Sequence, residues 1–272
     1  MTTLENIKQT AVQAGSVALW ATGQSGFLIK SPGGTVLALD PYLTESCQAV
    51  GAEYGFNFTR LTPSPIAASE LAGLIDGYLL THTHGDHLDP ETLAGYQAAG
   101  GKGPYVAPME TVDKLQSLGV PTDQILPIWP NKSHTIGDIT VQATFAIPFG
   151  GDDLTHIGYL VKISGGPVIY FTGDTAYHDL LSDAVGPHKP DLLVAVVNGA
   201  FRNMGPAEAA RLAKELKVAR VIPCHHNLFP DNSLPTAIFH TNLKTIGLGD
   251  LLLEARDGEK IVFTPATVQP SA

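Results

Sequence analysis

Apolar residues along this chain fall mostly in short runs, divided by turns rich in Gly, Pro, Asp and Asn. Runs at 16–21, 26–30 and 35–40, separated by Gly23 to Gly26 and by Pro32-Gly33-Gly34, predict three strands. Ahead of them, Leu4, Ile7 and Ala11 recur at helical spacing and predict a short helix. From 41 to 65 the pattern is loop-like, with Tyr42, Tyr54, Phe56 and Phe58. A loop this long walls a pocket or mediates self-association. Strands and helices then alternate. Strands are predicted at 77–81, 105–107, 139–147, 157–164, 167–172, 191–197, 220–223 and 260–264. Helices are predicted after Asp89-Pro90-Glu91, where Asp caps and Pro opens the first turn, and over 109–118, 206–216 and 235–246. The strands come in two groups, each with its own helices. That order suits an α+β fold in which two mixed sheets pack face to face with helices outside, as one domain over residues 1–272.

Composition narrows what such a domain does. Of 272 residues, 44% are hydrophobic and 15% charged, as in a compact folded protein. The net charge of −10 disfavours nucleic acid and anionic membranes as partners, and leaves a small-molecule substrate. No apolar stretch approaches the ~20 residues needed to span a bilayer. The start, Met1-Thr2-Thr3-Leu4-Glu5-Asn6, lacks the basic and apolar regions of a signal peptide. Cys47 and Cys224 are therefore expected as free thiols in a reducing cytoplasm.

The chemistry concentrates in Thr81-His82-Thr83-His84-Gly85-Asp86-His87-Leu88, an HxHxDH pattern following the apolar Tyr78-Leu79-Leu80. On extended backbone His82 and His84 point to one side, since side chains alternate. Gly85 then permits a sharp turn into Asp86 and His87. One short loop can so offer two imidazoles to one cation, and a carboxylate with an imidazole to a second. Imidazole and carboxylate without thiolate suit Zn, Mn or Fe. Two later strands end in the same way: Val168 to Phe171 leads to Gly173-Asp174, and Val221-Ile222-Pro223 leads to Cys224-His225-His226. Each alone is weak, because Asp174 also reads as a turn or helix cap.

Taken in order, HxHxDH, strand-Gly-Asp-Thr and strand-Pro-x-His resemble the ligand series of the metallo-β-lactamase superfamily. The resemblance implies an αββα sandwich holding one or two divalent ions, Zn or Mn. It assigns His82 and His84 to one ion, Asp86, His87 and His225 to the other, Asp174 to both, and a supporting role to Asp40. The third His usual in the first set has no counterpart directly after the strand at 139–147; His156 is the candidate, with Asp152 or Asp153 as substitutes.

Within the superfamily, residues 17–27, the stretch Pro223-Cys224-His225-His226-Asn227-Leu228-Phe229 and the loop from Asn198 to Ala210 look most like the L-ascorbate-6-phosphate lactonase branch. That resemblance implies hydrolysis of a lactone or ester, with metal-activated water attacking the carbonyl and Asp86 as the catalytic carboxylate. Arg202, His226 and Asn198 are the expected contacts to a substrate that carries an anionic group, such as a phosphorylated lactone. A small-molecule phosphodiesterase of the same fold and a catalytically silent metal-binding scaffold are the alternatives.

Overall fold

The computed structural model describes residues 1–148 and 153–265. Helix α1 (Thr3–Gln9) opens on a capping box, in which Thr2 and Glu5 each accept the other's backbone N–H. Strands β1 (Val17–Gly23), β2 (Gly26–Lys30) and β3 (Val36–Leu39) follow. Then come α2 (Cys47–Glu53), β4 (Gly77–Leu79), α3 (Pro90–Ala98), β5 (Tyr105–Ala107), α4 (Met109–Ser117) and β6 (Ile125–Pro127). The second half holds β7 (Ser133–Ile136), β8 (Ile139–Phe145), β9 (Ile157–Ile163), β10 (Val168–Phe171), α5 (Asp179–Val185) and β11 (Leu192–Val196). It ends with α6 (Pro206–Leu216), β12 (Arg220–Cys224), α7 (Thr236–Thr245) and β13 (Lys260–Phe263).

The strands form two mixed sheets, ordered β13-β1-β2-β3-β4-β5-β6 and β12-β11-β10-β9-β8-β7. Period-2 alternation assigns every strand two faces. Leu19, Phe27, Ile29, Leu37 and Leu79 of the first sheet meet Val141, Tyr159, Val161, Ile169 and Phe171 of the second, all buried. Phe27 and Phe171 meet edge to face across this layer, centroids 5.5 Å apart. The opposite face of the first sheet, with Trp20 and Tyr78, lies against Leu93 of α3 and Leu115 of α4. The opposite face of the second, with Leu160, Tyr170 and Leu193, lies against Leu181, Leu212 and Phe239 of α5, α6 and α7. The result is the expected helix–sheet–sheet–helix stack.

Four elements depart from the sequence reading. The stretch 41–65 contains the helix α2 and is not loop throughout. Its Tyr42 is buried, and Phe58 stacks on Phe229 with centroids 5.0 Å apart. Strand β6 is three residues long, β7 is mostly polar and α5 is a short helix, so none shows in the pattern; β6 and β7 complete sheet edges, and α5 packs Leu181 and Val185 against the second sheet. Cys47 and Cys224 are free and buried. No helix among the described residues is long and apolar enough to cross a membrane.

Register decides where the chemistry goes. Strand β3 runs parallel to β4, and β10, β11 and β12 are mutually parallel. The segments leaving β3, β4, β10 and β12 carry Asp40, the HxHxDH loop, Asp174 and His225. Strand β9 is antiparallel to β10, so its entry, with His156, shares that edge. Gly173 makes the approach to Asp174 possible: its φ is +62°, and a Cβ there would lie 2.5 Å from the Ile157 carbonyl oxygen. Gly165, with φ +66°, has open space around it. Gly165→Ala is expected to cost about 1–2 kcal/mol, the left-handed penalty alone. Gly173→Ala should cost about 1–3 kcal/mol more, from the clash. Urea denaturation measures both, and equal costs would mean the approach at Gly173 has no energetic weight.

Candidate metal centre

Asp40 organises the entrance to the centre. Its Oδ1 accepts the Thr81 backbone N–H at 2.8 Å, and its Oδ2 accepts the Thr81 hydroxyl and lies 2.8 Å from His87 Nδ1. When the ring is neutral, a hydrogen on His87 Nδ1 donates to Asp40, which leaves Nε2 with a lone pair directed into the site. Asp40 holds this position with φ +41°, and His225 with φ +61°, both in the left-handed region that non-glycine residues avoid.

Three groups of donor atoms converge there, each within 4.8 Å: His82 with His84 and His156; His82 with His87 and Asp174; Asp86 with His87 and His225. His82 Nε2 lies 3.0 Å from His84 Nδ1, and the His82 and His156 rings are 3.9 Å apart. On the other side, His225 Nε2 is 3.1 Å from Asp86 Oδ2 and 3.3 Å from Asp174 Oδ2, while His87 Nε2 is 3.4 Å from Asp174 Oδ1. The structure thus brings together all seven residues named as ligands from the sequence. His156 reaches the site from the start of β9 by tertiary packing, with no motif of its own. Asp153 stands apart: it is buried and accepts from the backbone and hydroxyl of both Thr83 and Thr155, which fastens the HxHxDH loop to the segment carrying His156. Asp152 lies outside the described residues.

The donor atoms fit a cation. His87 Nε2, His225 Nε2, Asp174 Oδ1 and both ring nitrogens of His156 are buried with no hydrogen-bond partner. Polar atoms left so cost about 1–3 kcal/mol each, and a divalent ion would engage them together.

The protonation tendencies of the two sides differ. Burial, with help from neighbouring imidazoles, lowers the pKa of His82 well below the ordinary value. Burial also lowers His156, against an opposing pull from Asp153. These rings are neutral and ready to bind. At His87 burial pulls downward too, but Asp174, Asp86 and Asp40 outweigh it and raise the value well above normal. His225 is raised likewise by Asp174 and Asp86 against its burial. Burial drives the Asp86 and Asp174 carboxyls upward, and His87 and His225 more than reverse that, so both stay ionised.

Other expected contacts lie around this centre. Arg202 is exposed on the turn before α6, with Phe201 and Arg202 at φ +52° and +60°. Phe201 packs edge to face on Phe56, centroids 5.5 Å apart, so the aromatic loop does reach a segment of the site. His226 is buried, and its Nδ1 donates to the Leu234 carbonyl at 3.0 Å. Asn198 donates to Asn232 Oδ1 at 2.7 Å. His178 caps α5 at the surface. Three residues escaped the sequence reading: Gln24, Asn203 and Asn232, whose amides lie beside Asp86, Asp174 and His225. Gln24 and Asn203 sit in glycine-rich loops that were already conspicuous; Asn232 carried no signal.

A sandwich of two mixed sheets with His and Asp donors at one shared edge defines a metal-dependent hydrolase of the metallo-β-lactamase type. Residues 39–226 match the beta-lactamase superfamily domain, and the chain belongs to that superfamily. A metal-dependent hydrolase of Polaromonas sp. is 31% identical over 266 residues, covering 90% of this chain and 89% of that one. A "probable L-ascorbate-6-phosphate lactonase" of Salmonella heidelberg is 27% identical over 261 residues, covering 83% and 73%. Among solved structures, an isothiocyanate hydrolase from Delia radicum gut bacteria superposes with TM-score 0.73 at 19% identity, over 91% of this chain and 99% of that one. At that identity the likeness shows the fold alone.

The pKa directions fix a pH dependence for the metal-free protein. Raised His87 and His225 stabilise it fully below their unfolded pKa of about 6.5, and that stability is lost as pH rises through the folded values. Depressed Asp86 and Asp174 stabilise it above about pH 3.9, and that is lost on acidification through the folded values. His82 and His156, lowered by burial, act in the opposite sense, but only up to about pH 6.5, so metal-free protein should melt at lower temperature at about pH 8.5 than at about pH 7. With excess Zn the trend should reverse, because deprotonation favours binding. Melting curves at both pH values, with and without Zn, check this.

Proposed function

We propose that this protein is a metal-dependent lactonase or carboxylic ester hydrolase acting on a small anionic substrate. The supporting observation is the convergence of buried, partnerless ring nitrogens and a carboxylate oxygen at one sheet edge. The likeness to a lactonase over most of the chain supports the lactone class. His82, His84 and His156 would hold one ion; Asp86, His87 and His225 would hold a second, with Asp174 reaching both. The all-nitrogen-and-oxygen set suits Zn or Mn, and neither cysteine joins it, both thiols being pushed up by burial. When bound, divalent metal activates water near neutral pH and polarises a carbonyl oxygen.

The chain's own part is to orient and to move protons. Asp86 is held ionised, with Oδ2 engaged by Gln24 at 2.8 Å, so Oδ1 is the oxygen left to accept a hydrogen bond from the attacking water and to orient it. The burial of His82, His87 and Asp40 keeps bulk water from the inner side of the site. Arg202, exposed beside Asn203, is the contact for the substrate's anionic group. His226 supports the loop that carries Asn232.

Elemental analysis of protein purified without chelator should give two metal equivalents, falling to about one in His156→Ala. Metal-free protein that takes up neither Zn nor Mn would falsify the hydrolase reading. Asp86→Asn is expected to lower kcat about a hundred- to ten-thousand-fold. Arg202→Ala should raise KM for a phosphorylated lactone about tenfold, a loss of about 1.4 kcal/mol in binding; an unchanged KM would remove Arg202 from the site. A panel of lactones, esters and aryl phosphodiesters separates the chemistries, since turnover of the phosphodiesters alone would replace this reading with a phosphodiesterase.

A further inference from the structure

The two sides of the metal centre are supported unequally. On the side of Asp86, Asp174 and His225, each residue is met from behind by an amide. Gln24 Nε2 donates to Asp86 Oδ2 at 2.8 Å, and Asn203 Nδ2 donates to Asp174 Oδ2 at 2.8 Å. Asn232 lies 3.1 Å from His225 Nδ1, and Asn198 lies 2.7 Å behind Asn232. The amides come from separate segments: the β1–β2 turn, the loop after β11 and the loop after β12. On the other side a single hydroxyl, Thr81 Oγ1, lies 3.0 Å from His82 Nδ1, and His156 has no hydrogen bond at either ring nitrogen.

The backbone that carries each amide is fixed. Gln24 is buried, with φ +50°, and its carbonyl accepts the His225 N–H at 2.8 Å. Arg60, also buried, donates to the carbonyls of Thr22, Tyr42 and Thr62, which secures the strand entering the Gln24 turn. Asn203 is buried, and its neighbour Met204 donates its N–H to the Thr175 carbonyl, next to Asp174. The Asn232 loop is closed by two bonds between His226 and Leu234, one in each direction.

A cation on His225 Nε2 obliges Nδ1 to carry hydrogen and to donate. As drawn by the distances, Asn232 faces it with nitrogen, donor against donor, while Asn198 Oδ1 is buried without a partner. A half-turn of both amides removes the conflict at His225: His225 Nδ1–H donates to Asn232 Oδ1, and Asn232 Nδ2–H donates to Asn198 Oδ1, with Asn198 Nδ2 taking the place its Oδ1 held. Neutral amides suit this position. They orient the carboxylates without adding positive charge to compete with the ion.

The geometry points to Gln24, Asn203 and Asn232 as positioning residues that pre-form the Asp86/His87/Asp174/His225 half and make it the tighter of the two cation sites. The inference rests on the proposed two-ion centre. It is tested by titrating metal-free protein with Co(II) and following the visible absorbance, which reports each site without turnover. Wild type is expected to fill in two steps. Gln24→Met, Asn203→Leu and Asn232→Leu should each weaken the tighter step about 10–100-fold and leave the weaker one in place. Asn232→Asp, which keeps an acceptor toward His225, should bind within a few-fold of wild type. His156→Ala should abolish the weaker step alone. Melting of each metal-free variant at the wild-type temperature establishes that the amides act on the site and not on folding. Amide variants that weaken both steps alike, or the weaker one only, overturn the frame while leaving the two-ion centre standing. Failure of wild type to bind Co(II) overturns both.

Discussion

Everything at this sheet edge answers to the burial of His82, His87 and His225 beside Asp40, Asp86 and Asp174. Taking such groups out of water costs several kcal/mol each unless charge and hydrogen bonds are matched. The arrangement meets that demand in layers. Asp40 joins Thr81 and His87; amides meet Asp86, Asp174 and His225; the remaining inward atoms point at a shared space. The unpaired inward atoms are the part of the site that a cation would satisfy. The strained backbone at Asp40, Gln24 and His225 has the same origin, since each residue must leave its strand sharply to face inward.

The scaffold tolerates this because the polar cluster sits at the end of a dry, interlocked core. Phe27 against Phe171, and Leu79 beside them, fix how the two sheets meet. A shift of one residue in β4 or β10 would reverse which face each side chain takes and scatter the ligands. Asp153 does comparable work outside the sheets. It binds Thr83 and Thr155, so the loops bearing His84 and His156 are tied to one another.

Much of the ligand set was legible from the chain alone. HxHxDH is dense enough to stand out, and Asp174 and His225 are marked by the apolar strands that deliver them. His156 was harder, because nothing local ties it to the other histidines; only the antiparallel return of β9 beside β10 sets it 3.9 Å from His82. The amides of Gln24, Asn203 and Asn232 were not read as part of the site. A glutamine or asparagine carries no charge and follows no spacing rule, so its role exists only in what it touches. The helix in 41–65 was missed for a related reason: α2 has few buried positions, Cys47 and Gly51, and so no apolar stripe.

The sequence by itself determined the strand and helix alternation, the two-sheet architecture and the donor types offered to metal, because periodicity and residue chemistry are local properties. Tertiary structure decided which donors share a space, which atoms lack partners and which side of the centre is buttressed. Those depend on contacts between segments as distant as Gln24 and Asp86, or Thr83 and Asp153, and distance along the chain places no bound on distance in the fold.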